Sequence, residues 1–136
     1  MALTRTQAQM LNNDNSPPAQ QAKLGDAVYA APVAFEYAIT SAANAEDQVA
    51  FVAPFAMRIV DIIVRATATS GSGTVEPKKG TTAMCTAIDC AADGAVTHMS
   101  AGAVAAALAL AEGDVVNVET NGAGDRGVVA FIGVRL

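Results

Sequence analysis

The chain has 136 residues, 52% of them hydrophobic but only 4% aromatic, with no tryptophan and a formal net charge of −5. That length matches one domain with one core, and an apolar content made mostly of alanine and valine buries little area per side chain, so part of the stability is expected from contacts between subunits. Eight Lys and Arg against 13 Asp and Glu, with no basic run, argue against direct nucleic-acid binding; no stretch is long and apolar enough for a membrane span, and MALTRTQAQMLNNDNSPP lacks the apolar stretch of a secretory signal, which points to synthesis in the cytosol.

Residues 1–31 are rich in Gln, Asn and Ala and contain the pair Pro17-Pro18. They carry too little apolar surface to join a core and are predicted to be an N-terminal arm, extended or partly ordered. TRTQAQMLNN can form a short helix that NDNSPP stops. From position 32 to 136 the pattern changes to short runs rich in β-branched residues, punctuated by Gly, Pro, Asn and Asp, which predicts an all-β sandwich.

VAFEYAIT (33–40) reads as a first strand, DQVAFVA (47–53) as a second and MRIVDIIVRATA (57–68) as a long third. Alternation in the third puts Val60, Ile62 and Val64 on one face and Ile59, Asp61, Ile63 and Arg65 on the other. SGSG (70–73) reads as a hairpin connection, and TVEPKKGTTA as an edge strand and tight turn, because Pro77 cannot donate to a ladder. AMCTAID (83–89) is the next strand, followed by a turn at Asp93-Gly94, a short strand, and a helical turn or short strand within SAGAVAAALALAEGD. GDVVNVET then places Val116 and Val118 on one face and Val115, Asn117 and Glu119 on the other. The final strand, GVVAFIGVRL, turns Val128, Ala130, Ile132 and Val134 one way and Val129, Phe131 and Arg135 the other; with both faces apolar it belongs in the middle of a sheet or at a subunit interface.

The acids among the glycines near the C-terminus invite a metal reading, but Asp114 and Asp125 never fall into the close D-x-D-x-D spacing of a calcium loop, and turn chemistry explains them better. His98 is the only histidine and reads as a surface group in a polar loop. Cys85 and Cys90, five apart on a continuous strand, would point to opposite faces and read as free, buried or half-buried thiols. Lys78 and Lys79 lack the order of a phosphate-binding loop and read as solvated hairpin lysines. No nucleophile elbow or Walker loop occurs, so the sequence carries no catalytic, cofactor-binding or metal residue to nominate.

Leu110, Gly113, Asp114, Val116, Val118, Phe131, Gly133 and Leu136 resemble, in order, the last two strands of jelly-roll domains of the complement-C1q and tumour-necrosis-factor type. More widely, Ala53 to Leu136, through APFAMRIVDIIVRATATSGSGTVEPKKGTTAM, AIDCAADGAVTHMS and LAEGDVVNVETNGAGDRGVVAFIGVRL, resembles the small jelly-roll capsid decoration, or cement, proteins of tailed bacteriophages and related head-fibre modules. The resemblance implies a homotrimer made in the host cytoplasm and carried on the outer capsid surface of the virion. Its partners would be the major capsid protein and itself, with no cofactor and no enzymatic activity. The Pro77 and Lys78-Lys79 strand and the two cysteines depart from the pattern.

On that reading the trimer interface is expected at Val129, Phe131, Ile59 and Ile63, and the capsid-contacting arm at Leu11, Pro17, Pro18 and Lys23. A receptor- or glycan-binding head of a phage fibre is the alternative use of the same fold. It fits less well, because tryptophan is absent and the only tyrosines, Tyr29 and Tyr37, fall early in the chain. A small cupin-like enzyme would need a cluster of His and Glu ligands that His98 alone cannot supply.

Overall fold

The computed structural model describes residues 31–39, 47–99, 102–123 and 126–136. Its strands are β1 (Pro32–Ile39), β2 (Asp47–Val52), β3 (Met57–Ala66), β4 (Thr74–Lys79), β5 (Thr82–Ala83), β6 (Ile88–Asp89), β7 (Val96–His98), β8 (Ala109–Leu110), β9 (Val115–Thr120) and β10 (Gly127–Arg135), with one helical turn, α1 (Ala105–Leu108), before β8. They build two antiparallel sheets, β1-β10-β3-β7 with β8 also on β3, and β2-β9-β4-β5 with β6 also on β4. The first four strands alternate between the sheets, as do β9 and β10, which is the wrapping of a jelly roll. All-β architecture is therefore as the sequence pattern predicted.

The sheets enclose a core of large side chains. Phe131, Met57, Ile59, Ile62, Met84, Val64, Val75, Val116, Val118 and Val129 are all fully buried. An aromatic chain links the sheets at one flank: Phe35 of β1 stacks on Phe51 of β2 at 4.4 Å, and Phe51 meets Phe131 edge-on at 5.3 Å. Such pairs contribute beyond their buried area.

Four sequence expectations change. β3 does not alternate strictly: its register with β10 shifts so that Asp61 faces Ile132 while Ile59 faces Gly133, leaving Val60 as the extra residue of a β-bulge. Ile59 therefore lies inside together with Ile62 and Val64, and Val60 lies outside, 48% exposed. SGSG joins strands of different sheets and is a crossover, not a hairpin.

β4 is not an edge, for it lies between β9 and the pair β5 and β6. Pro77 is tolerated there because β6 pairs with residues 74–75 and β5 with 78–79, so the missing N–H falls in the gap between them, where only the Pro77 carbonyl is used, by the Met84 amide at 2.9 Å. Residues 83–89 likewise form two short strands rather than one, which lets Cys85 and Cys90 both turn inward as buried thiols outside any disulfide. Burial, with Glu76 adding to it, pushes the Cys85 thiol up to about 11.

Candidate interaction surfaces

β10 sits between β1 and β3, so residues paired in register across the three strands share a face. The outward rows of this first sheet are Pro32–Val134–Arg58, Ala34–Ile132–Asp61, Glu36–Ala130–Ile63 and Ala38–Val128–Arg65, with His98 and Val96 of β7 extending the last two. The middle of the face is an aliphatic stripe of Val128, Ala130, Ile132 and Val134, flanked by Ala34, Ala38 and Ile63. Its charges are balanced, Arg58 and Arg65 against Glu36 and Asp61, and they stand at the margins.

This placement corrects the expected trimer surface. Val129, Phe131 and Ile59 face the sandwich interior at no more than 1% exposure and are filled around by their own chain, so only Ile63 of the four is presented outward. Phe131 goes inside because a ring of that size recovers more by full burial than the smaller outward residues would. Of the expected arm residues, Leu11, Pro17, Pro18 and Lys23 lie outside the described residues, as does Asp125.

The bulge gives the first sheet a polar device. Asp61 accepts the Ile62 amide through Oδ1 at 2.8 Å, a donor that β7 is too short to pair, and holds His98 Nδ1 through Oδ2 at 2.7 Å. His98 is thus an exposed strand residue bound to a carboxylate rather than a loop residue. No sequence signal marked this pair, since the two residues lie 37 apart and meet only through β3–β7 pairing.

The second sheet presents a different exterior. Its outward rows bring Asp47, Glu119 and Glu76 together, then Val49, Asn117 and Lys78, with Thr74 and Asp89 beyond. Lys78 is bound by the Glu119 carboxylate, with Glu76 at 4.0 Å, and Asn117 Nδ2 donates to the Gly80 carbonyl at 3.0 Å. Lys79 reaches the Ala109 carbonyl and Asp114, both at 2.9 Å. Both lysines are therefore partnered and partly buried rather than solvated in a hairpin.

Asp114 behaves as the turn residue the sequence suggested. Gly113 has φ +88°, and Asp114 Oδ2 accepts the Ala111 amide at 2.8 Å. The hydrogen bond from Lys79, then that from Ala111, holds its carboxyl below the usual carboxylate range. Among the described residues no three His, Cys, Asp or Glu side chains come together as a metal site.

No protein-family model and no curated protein matches the sequence. Among solved structures, a chain in the acidic stable capsid structure of Helicobacter pylori bacteriophage KHP30 superposes with a TM-score of 0.57 at 13% identity, over 78% of this chain and 89% of that one. A chain in the capsid asymmetric unit of cyanophage Pam1 gives a TM-score of 0.49 at 12% identity, over 78% of this chain and 84% of that one. The likeness to the KHP30 chain is a likeness of fold.

Proposed function

We propose that this chain is a bacteriophage structural protein that binds the outer surface of the capsid as a homotrimer and stabilises the mature head. The observation that carries this reading is the aliphatic outer face of the first sheet, Val128, Ala130, Ile132 and Val134 with Ile63, on a fold shared with a chain of a phage capsid structure. A neutral apolar face suits contact with further copies of an acidic chain, because the like charges gathered on the second sheet would repel if placed against each other. The trimer forms through this face, and the polar second sheet looks to solvent.

Residues 1–31 are the arm that fastens the trimer to the major capsid protein, with Leu11, Pro17, Pro18 and Lys23 as contacts. An attached arm adds to the affinity of each body contact by raising effective concentration. The test is light scattering with co-sedimentation on mature capsids of the encoding phage. A species of about 41 kDa, three copies of a 13.7 kDa chain, that sediments with capsids is the expected result. Deleting residues 1–31 should abolish sedimentation and leave the number of chains per particle unchanged; a monomer that ignores capsids sinks the reading.

A further inference from the structure

Among the described residues one edge of the sandwich, along β1, is open. β1 pairs with β10 alone, and no other described strand lies on its far side. The direction of its backbone groups follows from the ladder next to it. The Thr67 amide donates to the Arg126 carbonyl, one step beyond the Ala66–Gly127 pair, while Ala66 and Ile62 use their bonds on the β7 side. In an antiparallel ladder successive residues alternate between the two sides. Ile62, Val64 and Ala66 therefore turn away from β10, and their opposites Phe131, Val129 and Gly127 turn their groups to β1. They meet Phe35, Tyr37 and Ile39 there, which leaves Pro32, Ala34, Glu36 and Ala38 facing the free side. The amides of Ala34, Glu36 and Ala38 point out of the molecule.

Long regular edges are normally protected. Here β7 has three residues, and β5, β6 and β8 have two each. The edge strand β2 is interrupted at Ala50 by a register shift. β1 has no such device: its eight pairs with β10 run without a break, its proline stands at the first position, and Glu36 is its single charge. Its inward side chains Val33, Phe35 and Tyr37 are only half-buried among the described residues although they face the other sheet.

We propose that this edge pairs with the β1 edge of a second copy, antiparallel about a two-fold axis, with Ala34 of each chain opposite Glu36 of the other. In that register Ala34 and Glu36 exchange both of their backbone bonds and the Ala38 amide donates to the Pro32 carbonyl, so the three outward amides of Ala34, Glu36 and Ala38 each find an acceptor, while the Ala38 carbonyl, opposite a proline nitrogen, keeps to solvent. Phe35 lies across from Phe35, and Val33 across from Tyr37, which extends the aromatic flank through the axis. The charge pattern selects it. Moving two residues one way sets Glu36 against Glu36, and moving two the other way sets Glu36 against Pro32, whose nitrogen offers the Glu36 carbonyl no donor, and carries Ala38 past the end of β1. The occupant is a second copy because the edge asks for an extended strand of matching length with one charge placed off the axis, and β1 is itself that strand among the described residues. The contact is two-fold, distinct from the proposed trimer face, and would join trimers to one another.

The test is the solution mass of the full chain at millimolar concentration, with amide exchange followed by NMR. The expected result is an even-numbered species, about 27 kDa for the edge contact alone or about 82 kDa where trimers are joined, with Ala34, Glu36 and Ala38 amides slowed at least about tenfold relative to a dilute sample. Ala34→Pro removes one outward N–H without touching the β1–β10 ladder and should halve that mass, whereas Ala34→Ser should keep it. Exchange in the unaltered chain needs no variant to fold. A mass of about 41 kDa with fast exchange at those three amides overturns the edge contact and leaves the trimer standing; about 27 kDa with slow exchange supports the edge and sinks the trimer.

Discussion

Along β10 the outward residues are Val128, Ala130, Ile132 and Val134, whereas along β9 they are Val115, Asn117 and Glu119. The two strands supply the same kind of side chain to the shared core, Val129 and Phe131 from one, Val116 and Val118 from the other. Their exteriors differ because polar residues run through the middle of the second sheet, where Lys78 pairs with Glu119 and Asn117 Nδ2 donates to the Gly80 carbonyl, while the first sheet keeps its polar residues at the margins of an aliphatic stripe. A sandwich needs only its inner faces to be apolar. An aliphatic outer face is therefore surplus to folding, and it points to a partner.

The sharpest way to break this contrast is at neighbouring positions of β10. Phe131→Ala should cost about 3–5 kcal/mol in urea unfolding, since it empties a core site, while Ile132→Ala one residue later should cost the isolated chain less than about 1 kcal/mol. Equal costs would mean that the outer face contributes as much to the fold as the inner one. Next in size is the effect of a charge. Ile132→Lys should reduce the mass in light scattering to that of a smaller species with the melting temperature of the isolated chain nearly unchanged, and Asn117→Lys on the other sheet should leave the mass as it was.

Smaller effects are expected where the second sheet meets water. Lys78→Met removes an ion pair whose Glu119 side chain is 38% exposed, so it should change stability by no more than about 1 kcal/mol and leave assembly intact. The smallest effect is at Asp114. Its folded carboxyl titrates below the unfolded value, so its contribution is complete above about pH 4 and disappears as pH falls through the lower folded value. Asp114→Asn should therefore flatten the acid limb of a stability–pH profile in that window alone.

How legible a strand was depended on how different its two faces are. GDVVNVET alternates valine with polar residues, and its inside was plain in the sequence, as was the Gly113-Asp114 turn ahead of it. GVVAFIGVRL is apolar on both sides, and its period of two separates the faces without saying which is inner; the interface was expected at Val129 and Phe131, which are core. MRIVDIIVRA misled for another reason, because the bulge at Val60 exchanges the faces halfway along and nothing local announces it. Pro77 read as an edge residue because its lost N–H was evident, whereas the gap between β5 and β6 that accommodates it was not.

Alternation, turn residues and composition by themselves determined an all-β architecture, the order of its main strands and the Asp114 turn. Those are properties of short windows, where side-chain chemistry and backbone preference act directly. Only the tertiary structure decided which face of β10 is buried, that Asp61 meets His98, that both cysteines are inside, and that no second described strand pairs with β1. Each of these depends on pairing between distant segments, and register is set by the packing of the whole sandwich rather than by any one strand.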